Sequence, residues 1–292
     1  MSVATSLSLF FLFLFSRNTV VAPFDYPPNI LVDKNGNRVI KIIPVDTDIT
    51  IDGVLDEEIW RHADFQGYFI QREPRLGEPV TEKTKVALLQ GRHALIIGIK
   101  CYDSEPDKII ARDMKRDSQM DNDDSFQIVI DTFHDYRNGY YFKTNPNGAK
   151  RDATIGDEGK NFNPDWDGVW ECAATINNDG WFAELAIPWK TLNFVKGDSL
   201  TWGINFARMI MRKNEHAFWQ LVSRDAGRMG LFRLSQAGSL TGLTEFQSGG
   251  RFELLPYVLG GLERDSRTSF RTTNASDMGI DVKIGLTSNL SA

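Results

Sequence analysis

Apolar and polar positions alternate along most of this chain with a period of two, the pattern of half-buried strands. The alternation is plainest in residues 200–211. Trp202, Ile204, Phe206, Arg208 and Ile210 share one face there, and Gly203, Asn205, Ala207, Met209 and Met211 share the other. Thr84–Gln90, Ala94–Asp103 and Phe126–Asp131 read as further strands, and Tyr140–Thr144 with Ala149–Ile155 forms a hairpin about Asn145-Pro146-Asn147-Gly148. A second hairpin turns at Asn177-Asn178-Asp179-Gly180, where Asn and Asp tolerate positive φ and Gly adopts it freely. In its second arm Trp181, Ala183, Leu185 and Ile187 fall on one face and Phe182 and Glu184 on the other. Pro188 ends that ladder because it has no N–H to donate. Phe218–Val222 and Leu231–Leu234 read as shorter strands.

Helix is scarce. Asp56 is placed to cap a short helix over 57–63, and Leu55, Ile59 and Ala63 form a stripe spaced four apart that can dock on a sheet, with Trp60 beside it. Residues 104–122 are polar and read as a long surface loop with one helical turn near Lys108–Arg112. No alternation of strands with long helices suggests a parallel sheet. The fold class expected is all-β: an antiparallel β-sandwich, jelly-roll or immunoglobulin-like, with one short helix.

Composition changes at both ends. Leu7–Phe15 is Leu and Phe throughout except Ser8, too short to span a bilayer but suited to the core of an export signal. Val20-Val21-Ala22 offers small residues for cleavage, so 1–22 is expected to be a signal peptide and 23–43 an extended leader with one short strand. The sandwich is expected over 44–243. Residues 250–292 carry two strand candidates, Phe252–Gly260 and Met278–Asn289, and two strands cannot bury a face alone. They read as the first strands of a second β-domain that continues past Ala292. The net charge of −6 argues against nucleic acid as a partner, since phosphate binding needs a cationic surface. Cys101 and Cys172 are no disulfide framework and read as buried thiols, with their pairing left open.

Several motifs resemble a known family. Ile51-Asp52-Gly53-Val54-Leu55-Asp56-Glu57 with Trp60 and Ala63, then Asp123–Asp131, Gly180–Trp189 and Trp202–Arg208, are similar in kind and order to carbohydrate-binding module family 9 domains. Arg212–Trp219, Leu255-Pro256-Tyr257 and Asp281–Leu290 resemble a bacterial envelope subfamily in which this sandwich precedes an outer-membrane β-barrel. The resemblance implies a saccharide-binding sandwich with structural calcium, exported to the periplasmic face or outer membrane, whose partner is its own C-terminal barrel. It implies a sugar held between two tryptophans. One would stand where Met120-Asp121-Asn122 occurs, without an aromatic; the other corresponds to Trp219, with Asn214 nearby and Lys143 as the basic residue.

Sugar binding needs an aromatic face for C–H groups and planar polar side chains for hydroxyls. Trp166, Trp170 and Trp219 are the ring candidates, and Asn214, Lys143, Arg208 and Gln220 the hydrogen-bonding ones. The four tryptophans of 165–189 have a second reading, as filling of the sandwich core. Asp121, Asp123 and Asp124, with Asp165 and Asp167, are candidate calcium ligands, or else solvated turns. No organic cofactor is expected. No nucleophile motif occurs and no carboxylate pair stands out, so nothing marks a catalyst; any activity would be association with hydrolysis of O-glycosyl compounds. The function expected is non-catalytic saccharide capture alongside glycoside hydrolases. The alternatives are a plug or partner-docking module for the barrel, and haem binding through Met209, Met211 and His216.

Overall fold

The computed structural model describes residues 26–27, 30–194, 200–227, 229–244, 252–264, 272–287 and 290–291, the last three segments as backbone strands. The expected signal peptide, 1–22, lies outside the described residues. In chain order the elements are β1 (Val39–Lys41), β2 (Ile43–Pro44), the helix α1 (Glu58–His62), β3 (Ile70–Glu73), β4 (Thr84–Gln90) and β5 (Ala94–Tyr102). Then follow β6 (Ser125–Asp131), β7 (Gly139–Thr144), β8 (Lys150–Gly156), β9 (Asn161–Asn163), β10 (Glu171–Asn177) and β11 (Gly180–Pro188). The last are β12 (Leu200–Ile210), β13 (Glu215–Phe218), β14 (Gly238–Leu243), β15 (Phe252–Arg264), β16 (Thr272–Thr287) and β17 (Leu290–Ser291).

Two sheets make the sandwich. The nine-stranded sheet runs β1-β14-β12-β6-β7-β8-β9, with β13 pairing β12 and β3. The five-stranded sheet runs β10-β11-β5-β4-β2. Pairing is antiparallel except at two edges, β1 with β14 and β2 with β4. Those exceptions come from one short stretch, 39–44, which lends consecutive strands to opposite sheets. The expected leader is therefore stitched into the sandwich, with Arg38 and Ile42 fully buried. The turn at Asn177–Gly180 joins β10 to β11 in the expected register.

Period-two alternation decides which side chains enter the core. Phe126, Ile128 and Ile130, with Trp202, Ile204 and Phe206, face Leu95, Ile97 and Ile99, with Trp181, Ala183, Leu185 and Ile187, across the sandwich. Each large side chain so buried contributes roughly 1.5–3 kcal/mol. Cys101 and Cys172 are both free thiols, and burial pushes each up to about 12.

The outer face of the five-stranded sheet is buried too. Segment 45–65 lies across it, with Trp60 packed over Val45, Ala87, Leu89 and Ile96. Gly98 leaves room for that indole: a Cβ there would stand 2.6 Å from the ring. Glu184, also buried, holds the cover down. Its carboxylate accepts from Asp52 N at 3.1 Å, Gly53 N at 3.0 Å and Trp60 Nε1 at 2.8 Å. Gly53 turns there at φ 84°, a conformation suited to glycine. Burial raises the Glu184 carboxyl, and the donors from Gly53, Asp52 and Trp60 oppose that rise.

Four expectations change. The helix is capped by Glu57, not Asp56, and without a side-chain bond; Glu57 instead accepts from Thr50 N. Leu231–Leu234 forms 3-10 turns, because it must bend over the sheet rather than extend it. The Phe218–Val222 strand starts and ends earlier, as β13. The strands expected in 250–292 are longer, pairing from Phe252↔Ile284 to Arg264↔Thr272.

Glu184→Ala would orphan the donors of Gly53 and Trp60, both buried, and free that of Asp52, and we expect it to lower unfolding free energy by about 3 kcal/mol in urea titrations; a loss below about 1 kcal/mol would refute the anchoring role.

Candidate functional site

Most residues singled out from the sequence hold the sandwich together. Trp219 is fully buried, edge-on to Phe206 and capped by the Arg38 guanidinium 4.4 Å from its ring. Its backbone N–H donates to Phe206 O, so the chain is still held against β12 at the place expected to present a platform. Trp170 is buried, with Nε1 donating to Asp152 at 2.6 Å. Trp166 is half-buried against Tyr140 and Phe142. Arg208 points inward and donates to Lys83 O, Tyr102 O and Thr84 Oγ1, tying β12 to the opposite sheet. Gln220 is buried, accepting from Arg38 N. Asn214 sits exposed in a left-handed turn at φ 48°. Trp170 and Trp219 offer no stacking face because the core takes both rings, and Trp166 spends much of its surface against Tyr140 and Phe142.

The aspartates are likewise engaged. Asp123 accepts from Arg112 N, Asp113 N and Asn145 Nδ2, and Asp124 from Ile110 N and Met211 N. Together they pin the 104–122 loop to the start of β6. Asp167 pairs with Arg116, which also bridges to Asp152 at 2.9 Å, while Asp165 is exposed. Calcium requires a shell of free oxygens. Asp123 and Asp124 already direct theirs at N–H groups, and among the described residues no three acidic, His or Cys side chains gather into a metal-sized group. The donor set does not fit a calcium cage.

Of the candidate sugar and calcium ligands among the described residues, Lys143 and Asp121 meet at a cavity. It has a volume of about 300 Å³ and lies on the outer face of the nine-stranded sheet. Strand register places Ala207, Gln127, Lys143 and Arg151 in one row across β12, β6, β7 and β8. Tyr141 stands in the next row, and its hydroxyl donates to Gln127 Oε1 at 3.0 Å. Phe162 of β9 and Phe232, from the turns after β13, stack at 5.0 Å, with Tyr141 edge-on to both. Lys143 Nζ donates to Gln119 O at 2.6 Å and lies 3.6 Å from Asp121. Burial lowers the Lys143 ammonium; Asp121 opposes that shift and Arg151 adds to it. Met120, buried, occupies the place where a first clamp tryptophan was sought. Met209 lines the cavity, whereas His216, its cross-strand partner in the haem reading, does not.

No protein-family model matches the chain, and no curated protein is similar to it in sequence. Solved structures are similar in fold. A protein from Bacteroides uniformis provisionally described as carbohydrate-binding aligns over 70% of this chain and 99% of its own, with a TM-score of 0.56 at 12% identity. A family 9 carbohydrate-binding module from Caldicellulosiruptor kristjanssonii in complex with glucose aligns over 72% and 98%, at 0.51 and 15%. The same organism's family 9 module in complex with cellotriose aligns over 70% and 93%, at 0.50 and 16%. The sandwich has a family 9 carbohydrate-binding module fold.

Within this family 9 fold, sequence reasoning missed Gln127, Tyr141, Arg151, Phe162 and Phe232. Alternation on β6 and β7 already puts Gln127 and Tyr141 on the face of Lys143, so that row was legible. Phe232 arrives from irregular turns and carried no signal.

Two outcomes follow from these placements. Trp219→Ala is expected to cost about 4 kcal/mol of stability by chemical denaturation, as a core cavity does, and an effect confined to ligand affinity would overturn the core assignment. His216 has its Nε2 shut away from solvent without a partner, and burial, Arg72 and Lys143 lower its imidazole from 6.5 to about 4. The unfolded chain therefore takes up a proton first as pH falls, so this group's contribution is present above 6.5 and is lost as pH drops to about 4. Urea titrations across that window are expected to show a shallower decline for His216→Gln than for wild type; parallel curves would count against it.

Proposed function

We propose that this domain is a non-catalytic saccharide-binding module and that the sugar sits in the cavity over β6, β7 and β8. One observation carries the reading: a wall of rings, Tyr141, Phe162 and Phe232, meets a row of hydrogen-bonding side chains, Gln127, Lys143 and Arg151. Sugar C–H faces pack on rings, while hydroxyls need planar polar partners. The volume is at the small end of ligand cavities and suits a single sugar unit better than a long chain. The similar modules in complex with glucose and cellotriose support the class of ligand. Glycosidases place two carboxylates about the scissile bond. Among the described residues Asp121 is the only carboxylate lining this cavity, which supports binding without hydrolysis.

Export, envelope attachment through a C-terminal barrel, and capture of sugars alongside hydrolases belong to the same proposal. They rest on the Leu7–Phe15 run and on the sequence resemblance described above.

Calorimetric titration with neutral and acidic mono- and trisaccharides tests the reading. We expect heat with at least one sugar, weakened about tenfold by Gln127→Ala, which removes a hydrogen-bonding group, and by Phe162→Leu, which keeps bulk but removes the ring. Silence with every sugar would sink it and favour a docking role for the module.

A further inference from the structure

The polar lining of the cavity is lopsided. Donors dominate it: the Arg151 guanidinium, the Lys143 ammonium, the Gln127 amide and the Ser125 hydroxyl, against the single carboxylate of Asp121. The Gln127 carbonyl already accepts from Tyr141, which leaves its amide nitrogen as the uncommitted end. Ser125 is 1% exposed and its hydroxyl has no partner among the described residues. A buried hydroxyl in that state costs free energy that a ligand oxygen would restore.

Lys143 and Arg151 are direct cross-strand neighbours on β7 and β8, on the same face of the sheet. Like charges placed opposite each other destabilise a sheet. The usual remedy is a carboxylate between them. Asp121, exposed at the rim, reaches only Lys143, and no acidic side chain within ion-pair distance of Arg151 is found among the described residues. Elsewhere on this acidic chain several arginines have carboxylate partners: Arg116 has Asp152 and Asp167, Arg212 has Glu82 and Asp103, and Arg137 has Asp157. The cavity floor instead sets two cations, Lys143 and Arg151, against the one rim carboxylate of Asp121, in a protein of net charge −6.

We propose that the saccharide taken by this cavity is acidic, and that its anionic group, a uronate carboxylate or a sulfate, is held between Arg151 and Lys143 with Ser125 and Gln127 donating to its oxygens. The proposal rests on the saccharide reading and narrows it. A guanidinium grips a carboxylate or sulfate through two parallel N–H donors, and a buried ammonium adds charge from the other side. The ring wall then takes the C–H face of the same sugar unit.

The test is calorimetry on the chain with matched ligands: glucose with glucuronate, galactose with galacturonate and galactose 6-sulfate, and neutral with acidic trisaccharides. The acidic member of a pair is expected to bind at least about tenfold tighter, and the preference should shrink as salt is raised. Arg151→Gln, at a half-buried position whose side chain makes no hydrogen bond among the described residues, should abolish the preference, and Arg151→Lys should keep part of it. Tighter binding of galacturonate or of galactose 6-sulfate supports the proposal either way and identifies which anion the site prefers. Equal affinity for acidic and neutral partners, or a preference that survives Arg151→Gln, overturns it while leaving a saccharide module. No binding by any sugar overturns both readings.

Discussion

Each sheet of this sandwich has a second face to hide, and the structure depends on how those outer faces are covered. On the five-stranded sheet the cover is segment 45–65, and the Glu184 carboxylate is its anchor. That carboxylate collects two turn amides and an indole N–H, so the Ile51-Asp52-Gly53 turn and Trp60 are fixed by a single strand residue that itself sits in the hairpin ladder, at Ala173↔Glu184. A buried carboxylate is tolerable only when its oxygens are so occupied. On the nine-stranded sheet the cover is the run of turns from Val222 to Leu234, packed on Val129, Tyr141 and Phe218. It closes over part of that face and leaves the cavity beside Gln127, Lys143 and Arg151.

The same accounting explains why so many suggestive polar residues are structural. Arg38 donates to three backbone carbonyls, Arg208 to two and a threonine, and Asp123, Asp124 and Asp152 accept from amides and an indole. Long loops bring backbone N–H and C=O groups into a sheet's end, where no ladder satisfies them, and buried charged side chains take up the surplus. A carboxylate spent in this way is not available to a metal, and a guanidinium spent in this way is not available to a sugar. What remains at the cavity includes polar groups that the fold does not use: the Arg151 guanidinium, the Gln127 amide nitrogen and the Ser125 hydroxyl have no side-chain partner among the described residues.

Much of the architecture was legible in the sequence because alternation is a local property. The hairpin at Asn177–Gly180, the run 200–210 and the inward faces of Trp181 and Trp202 follow from it directly. The site was less legible, since the same alternation that builds strands also decides which aromatics are hidden. The resemblance assigns Trp219 to a sugar platform, with Asn214 nearby, yet its ring is needed beneath Gly238 and Arg38. Lys143 was found from the motif and stands at the cavity, whereas its neighbour Arg151 emerges only from the β7–β8 register. Phe232 comes from turns whose path over the sheet no periodicity encodes.

Met120 bears on what kind of grip the cavity can have. It is buried, with φ 49°, at the loop position where a stacking ring was sought, and a shielded thioether side chain cannot offer a flat face to a sugar. The rings present lie on the other flank, Phe162 and Phe232 stacked on each other and Tyr141 set against both. A ligand can therefore pack on one aromatic wall but cannot be sandwiched between two. With rings on one flank, less of a ligand's binding can come from stacking, and more must come from the floor. That floor is donor-rich and sets two cations against one carboxylate, so under the acidic-saccharide proposal a single aromatic wall leaves the charged floor to supply the rest of the grip.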